Sequence, residues 1–446
     1  VAVNTVPVVR GGPVVATIAL GTVLNPLDAT MVAVALNRIQ GHFGVSVAAV
    51  SLLASGFFVA GAVGQALMGG LADRFGPRRV FRAGLLVVAV ACTLAPLAPT
   101  LGSLVGLRVV QALGTSVAFP TGMAIIRRRL SRSSAKAMGG VTTVNTLSAA
   151  VGPLAGGLLV SWAGWQATFL ANVPVAVAAV VLAGRVLPAD PPRAAHPPRV
   201  DLPGAALYTA ALVALLTFLL GPGSPVSWAA LAVAVPFAVG FLRWERRVRE
   251  PFLDVTLLAR RPVLLGVFAQ YGLANIAYYG MLYVVPTWLQ AERGTDPTTA
   301  GLVLVPVAVC SAAVTPLAAW WIQSRGARPT LLTASAVLVA GGGLLLTVDG
   351  TTPLASIAVA CVLIGMVNNP NTLGLQALLY AHTPTEQTGT VSGFFQGFRY
   401  IGSILSTALL GLAVGPRAHD AGIHLMAGAV LAVGVLVTAV NVLRPR

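Results

Sequence analysis

Apolar runs long enough to cross a bilayer follow one another along almost the whole chain. A helix needs about 20 apolar residues to span a hydrocarbon core of about 30 Å. Runs of about that length, bounded by charged, Pro-rich or Gly-rich breaks, recur at 13–40, 46–69, 80–99, 101–126, 138–161, 165–187, 203–221, 225–243, 262–289, 298–322, 329–348, 353–380, 388–414 and 422–443. In lipid every backbone polar group must be satisfied internally, which leaves helices or closed barrels. No sustained period-2 alternation in ten-residue segments is present, so the barrel is excluded. The expected fold is an all-α polytopic membrane protein with fourteen transmembrane helices. Only 9% of the 446 residues are charged, against about 25% in soluble domains. The first run is too long for a signal-peptide core and is read as a retained helix.

A net charge of +16 would suggest nucleic acid in a soluble protein, but its placement here is topological. Alternate loops, beginning with the N-terminus, carry Arg10; Arg74, Arg78, Arg79 and Arg82; Arg127, Arg128, Arg129, Arg132 and Lys136; Arg185, Arg193 and Arg199. The series continues with Arg243, Arg246, Arg247, Arg249, Arg260 and Arg261, then Arg325 and Arg328, then Arg444 and Arg446. The opposite loops hold Arg38, Arg293 and Arg417. By the positive-inside rule both termini are expected in the cytoplasm, with the chain in the inner (plasma) membrane. No nucleic-acid partner is expected. Cys92, Cys310 and Cys361 lie inside apolar runs, with neither metal-ligand spacing nor a disulfide framework. No metal or cofactor is expected.

A faint internal repeat divides the chain. GLADRFGPRR (70–79) follows the second run, and WIQSRGARP (321–329) follows the tenth at a matching depth. Two six-helix bundles related by pseudo-two-fold symmetry are expected at 1–188 and 262–446, with a linker at 189–261 carrying two extra helices.

These stretches carry a resemblance. GLADRFGPRR is similar to the loop between helices 2 and 3 of the major facilitator superfamily. LDATMVAVAL (27–36) resembles the first-helix signature of its fourteen-helix drug:proton antiporter branch. LRVVQALGTS (107–116) resembles the arginine motif of helix 4, and AVGPLAGG (150–157) the antiporter motif of helix 5. WQATFLANVP (165–174) and FRYIGS (398–403) are similar to stretches of helices 6 and 13. Two departures stand out: Ala33 and Asn37 occupy positions where the branch usually has Asn and Pro, and the second half lacks the loop aspartate. The resemblance implies a proton-coupled exporter of lipophilic, often cationic, drugs or antibiotics working by alternating access. A dedicated exporter of one endogenous metabolite is the alternative. It acts on a small molecule and protons within the lipid bilayer, and is expected to be a monomer.

Of twelve acidic residues, only Asp28 falls deep within a span. It lies roughly 22 Å from the cytoplasmic end, and Arg108 enters from the other side by roughly 10 Å, so the two share a depth. A carboxylate at a helix centre costs several kcal/mol, roughly 2.5–3.5 on the mildest scales. Asp28 and Arg108 are therefore the candidates for proton coupling. A static pair holding two helices together is the competing reading. Polar groups within the spans supply candidate substrate contacts: Asn25, Gln111, Asn145, Gln270, Tyr271, Asn275, Tyr278, Tyr279, Asn368 and Arg399. Tyr271, Asn275, Tyr278 and Tyr279 share a helix face, and aromatic walls with a few amides suit large, partly apolar cations. Bonds between helices explain the same residues equally well.

The resemblance implies a conformational latch at Asp73, Arg74, Gly76 and Arg78, with Asp73 set against the helix N-terminus near Thr388–Gly389–Thr390. An anion is favoured at that positive end. Gly152, Pro153, Gly156 and Gly157 are expected to act through the backbone, the glycines by close helix contact and the proline by a bend. An ATP-driven pump would need a P-loop lysine, and the single lysine, Lys136, lacks that context. No HExxH, GxSxG elbow or carboxylate pair points to an enzyme.

Overall fold

The computed structural model describes residues 11–45, 47–130, 134–190, 201–220, 225–248, 262–295, 297–384, 387–413 and 420–443. Arg10, Arg132, Arg193, Arg199, Arg249, Arg260, Arg261, Arg417, Arg444 and Arg446 lie outside those residues, as do both chain ends. Among the described residues the regular structure is helical throughout. The helices are α1 (Gly11–Phe43), α2 (Val47–Phe75), α3 (Pro77–Leu94), α4 (Leu101–Thr115), α5 (Ala118–Arg129), α6 (Ser134–Ala163), α7 (Gln166–Leu170), α8 (Asn172–Val186) and α9 (Leu202–Leu220). They continue with α10 (Pro225–Glu245), α11 (Pro262–Arg293), α12 (Pro297–Leu302), α13 (Val305–Arg325), α14 (Ala327–Leu345), α15 (Leu354–Met366), α16 (Asn368–Ala381), α17 (Thr388–Ala413) and α18 (Asp420–Leu443). They cover the apolar runs read from the sequence, with ends displaced by a few residues. Among the described residues, ten stretches are long and apolar enough to cross a membrane. The protein is a multi-pass membrane protein.

Four apolar runs are broken into two helices, and proline accounts for each break. A proline inside a helix has no N–H for the carbonyl four residues back and clashes with it. Pro120, Pro174, Pro306 and Pro370 therefore act at Ser116, Leu170, Leu302 and Met366. α4 ends at Thr115 beside Ser116, while α7, α12 and α15 end at Leu170, Leu302 and Met366 themselves. Pro26, Pro236, Pro286 and Pro316 lie inside uninterrupted helices, so proline permits a break without imposing one.

The chain divides into two compact units. The first comprises Val1–Phe57, Met68–Pro198 and Thr385–Ser392. In it α1 packs along α6 and α8, and α3 packs against α4 and α8. Val32, Ala35, Ile39, Leu53, Leu104, Trp165 and Phe169 form an apolar core there. The glycines of α6 set its approach to α1. A Cβ on Gly156 would stand 2.8 Å from the Met31 carbonyl oxygen, and one on Gly152 would lie 3.0 Å from that of Leu27. Nothing lies within 4 Å of the same position on Gly157, so close contact rests on the other two. Pro153 lies within α6, and its side chain is outside the described set.

The second unit comprises Phe58–Leu67, Arg199–Pro384 and Gly393–Arg446. Its main core joins α11, α13, α14, α15 and α18 through residues such as Met281, Val307, Leu338, Ile364 and Met426. A smaller cluster joins Ala62 and Val63 of α2 to Leu212, Tyr400 and Ile404. α9 and α10 pair as a hairpin. Asp201 closes it, accepting from the Gly204 N–H at 2.9 Å and from Trp244 Nε1 at 3.0 Å.

Candidate functional site

Asp28 projects from α1, two residues after Pro26, and is fully buried. Arg108 and Gln111 stand three apart on α4, a spacing that puts both on one face. Arg108 Nη1 donates to Asp28 Oδ2 and, at 2.7 Å, to Gln111 Oε1. Gln111 Nε2 donates in turn to Asp28 Oδ1 at 3.0 Å, and Asn172 Nδ2 of α8 donates to the same oxygen at 2.9 Å. Two helices, α4 and α8, thus supply the α1 carboxylate with charged and neutral donors. A buried ion pair holds only if its remaining hydrogen-bonding capacity is filled, and here the neighbouring amides fill it. Arg108 is itself 2% exposed, with its guanidinium 4.2 Å from the Phe57 ring centre and 5.7 Å from that of Phe169. Such ring faces attract the cation and exclude water.

The equal depth of Asp28 and Arg108 read from the sequence is thus direct contact. Gln111, a candidate for substrate contact, is a partner of that pair. Asn25 lies three residues before Asp28 and donates to Thr115 Oγ1 of α4 at 3.0 Å, also buried. Asn145 of α6 is half-buried, and its Oδ1 has no hydrogen-bond partner. Asn172, Phe57, Phe169 and Cys92, which accepts from Gln111 Nε2 at 3.0 Å, complete the cluster without a clear signal of their own in the sequence. Asn172 was the most legible, an amide two residues before a proline in an apolar run.

The α2–α3 loop is tied within the first unit. Gly76 turns the chain with φ +94, a conformation open to glycine, and a side chain there would run into Asp190. Asp73 pairs with Arg128 of α5 at 3.6 Å, and the neighbouring Arg127 donates to Thr388 Oγ1 at 2.9 Å. Both the loop and the start of α17 are therefore held by the same arginine run. The carboxylate at the N-terminus of α3 is Asp190, which accepts from the backbone N–H groups of Arg78 and Arg79 at 2.8 and 3.0 Å. The Arg78 guanidinium donates to the Gly184 carbonyl, and that of Arg74 lies 5.1 Å from the centre of the Phe75 ring.

In the second unit the candidate residues of α11 spread over several contacts. Gln270 Nε2 donates to Asn371 Oδ1 at 3.1 Å, and Tyr271 donates its hydroxyl to Gln396 Oε1 at 3.0 Å. Tyr271 also stacks on Phe395 with ring centres 3.7 Å apart. Asn275 spends its amide on the Tyr271 carbonyl of its own helix. Tyr278 and Tyr279 remain half-buried and meet edge to face. Arg399 lies over the Tyr400 ring at 4.8 Å, with Tyr279 and Tyr271 within reach of its charge. Asn368, at the break between α15 and α16, lines a cavity of about 10 Å³ with Asn371, Tyr278 and Ser335. That space admits one water and no substrate.

Comparison with known proteins points in one direction. The model of the family described as Major Facilitator Superfamily matches residues 18–407. The chain is 32% identical over 415 residues to the uncharacterized MFS-type transporter YwoD of Bacillus subtilis (strain 168), covering 92% of this chain and 91% of that protein. It is 29% identical over 417 residues to the tetracenomycin C resistance and export protein of Streptomyces glaucescens, covering 92% and 77%. The crystal structure of the human organic anion transporter MFSD10 superposes with a TM-score of 0.71 at 17% identity, over 96% of this chain and 99% of that one.

Proposed function

The chain belongs to the major facilitator superfamily of transporters, and from that premise we propose that it exchanges protons for lipophilic, often cationic, drugs or antibiotics. The observation that carries this reading is the buried Asp28 carboxylate, held by Arg108, Gln111 and Asn172. A group so placed changes its neighbours' interactions whenever it gains or loses a proton. Export is the direction favoured by the small-residue motif of α6 and by a relative named for resistance and export. That relative's link to one natural product also favours a second reading, a dedicated exporter of a single endogenous metabolite.

The transport cycle is alternating access between a six-helix bundle at 1–188 and another at 262–446, with 189–261 as linker. Fourteen spans follow if each proline-broken pair counts as one crossing and if α6, α9, α11 and α17 also cross. Both termini then face the cytoplasm, and the chain sits in the inner membrane as a monomer. Asp73, Arg74, Gly76 and Arg78 form the latch, which Arg127 and Arg128 tie to Thr388. Tyr278, Tyr279, Asn368 and Arg399 of the second unit, and separately Asn145 of the first, are the candidates for substrate contact. Gln270, Tyr271 and Asn275 act in the second unit through bonds between and within its helices, and Asn25 joins α1 to α4 in the first.

The test is transport by purified protein in liposomes under an imposed pH gradient, with a panel of cationic dyes, for wild type and Asp28→Asn. Gradient-driven movement of several dyes, lost in the variant, is expected. An undiminished response to the gradient in Asp28→Asn would remove Asp28 from the coupling. Failure of every dye with folded protein would favour the single-metabolite exporter.

A further inference from the structure

We propose that Asn172 is a positioning residue that makes the Asp28 pocket a site for a carboxylate alone, so that proton uptake requires Asn172 to withdraw. The proposal rests on the reading that Asp28 carries the transported proton. Its argument is a count of donors and acceptors. A carboxylate only accepts, whereas a carboxylic acid also needs an acceptor for its O–H. Arg108 has donors only. Gln111 turns its Oε1 to Arg108, which fixes its Nε2 toward Asp28.

Asn172 is fixed in the same sense by its own helix break. Pro174 ends α7 at Leu170, and the first residue of α8, Asn172, returns its Nδ2 to the Thr168 carbonyl at 3.0 Å. A backbone carbonyl only accepts, so the amide nitrogen must face it, and the same nitrogen reaches Asp28 Oδ1 at 2.9 Å. Turning the amide over would set Oδ1 against two oxygens. In the observed orientation that Oδ1 is buried without a partner, a cost borne to keep the donor in place. The pocket therefore offers Asp28 three fixed donors, and none of the three turns an acceptor toward it.

The charged and titratable groups recorded against Asp28 are Arg108 of α4 and Cys92 of α3. From α6 the facing residues are Gly152 and Gly156, which meet α1 at Leu27, Thr30 and Met31. From α8 the contact is Asn172 itself. Asn172 bonds to Asp28 and to the Thr168 carbonyl of the preceding α7, whereas a change at Gln111 would also disturb Arg108. Asn172 is thus the donor that can be removed most cleanly.

The experiment compares wild type, Asn172→Leu, Asn172→Ser and Asp28→Asn in liposomes, following exchange against pH. Purified protein is titrated in parallel by infrared difference spectroscopy, with the carboxylic C=O band of Asp28 assigned by its loss in Asp28→Asn. Thermal melting and size-exclusion profiles establish that each variant is folded, and Asn172→Ser decides alone if the leucine variant is not. Removing a donor to a charged acceptor should move both midpoints to higher pH by about one to two units in Asn172→Leu. Serine, which can restore one donor, should give a smaller shift. A lowered melting temperature with unmoved midpoints would show a merely structural role and overturn the proposal. If Asp28→Asn keeps the wild-type pH response, the coupling reading fails. If it loses that response while the Asn172 variants keep wild-type midpoints, the assignment of Asn172 alone fails.

Discussion

Replacing Asp190 by alanine should loosen the start of α3 without loosening its middle. The first-turn donors of this helix can be accounted for one by one. Gly76 N–H bonds to the Ala72 carbonyl at 3.0 Å, Pro77 has no N–H, and Val80 N–H bonds to the Gly76 carbonyl at 3.1 Å. Only Arg78 and Arg79 remain, and Asp190 takes both, from a side chain that is 4% exposed. Because Gly76 has no side chain to cap with, the cap comes from the segment that follows α8. Two charge-assisted bonds at about 1.5 kcal/mol each would total about 3 kcal/mol. Water can reach the exposed Arg79 once the carboxylate is gone, so a loss of about 2 kcal/mol is expected, the upper end for an N-cap. That corresponds to about 30-fold faster amide exchange. Hydrogen–deuterium exchange of a peptide covering 76–82 should show it, with 84–94 unchanged. Asp190→Asn keeps one acceptor oxygen and should lose roughly half, about fivefold. A change below about twofold in Asp190→Ala would refute the reasoning.

Gly156→Ala should destabilise the α1–α6 contact by about 1–3 kcal/mol, because the added methyl meets the backbone of Met31. Gly157→Ala has open space and should be neutral or gain up to about 1 kcal/mol of helix propensity. Equal effects in detergent unfolding curves would contradict the packing described. In the loop after α14, bonds from the Thr351 hydroxyl and N–H, and from Thr352, lower the Asp349 pKa from its ordinary value to about 2. A depressed carboxyl contributes order that is fully present above the unfolded value, about 3.9, and is lost as pH falls through the folded one. The turn at 349–352 should therefore keep its structure at pH 5 and loosen between about pH 4 and 2. The carboxyl ¹³C shift should follow that window, and in Thr351→Ala its midpoint should move upward.

Much of the candidate site could be read in one dimension because burial of charge is costly in lipid. Asp28 and Arg108 stand out in apolar runs at a shared depth, and the family resemblance implies that they can approach each other. The identities of their other partners could not be read, because Asn172 and Cys92 are brought in by the approach of α8 and α3. For the tyrosines of α11, one helical face predicted a single wall. The neighbours divide it, pairing Tyr271 with Gln396 and Phe395 while leaving Tyr278 and Tyr279 half-buried. The loop shows the same limit: its glycine turn is visible in the sequence, but the capping carboxylate lies 112 residues away from Arg78.

The helical runs and their order follow from the sequence by itself, since a backbone in hydrocarbon must bond within its own segment and twenty apolar residues state that locally. Prolines also mark where those runs can break. Only the tertiary structure decided which prolines do so, with Pro174 ending a helix and Pro26 riding inside one. It also decided which polar groups share a pocket. Hydropathy is a property of a segment, whereas the direction of a donor is set by neighbours that the segment does not contain.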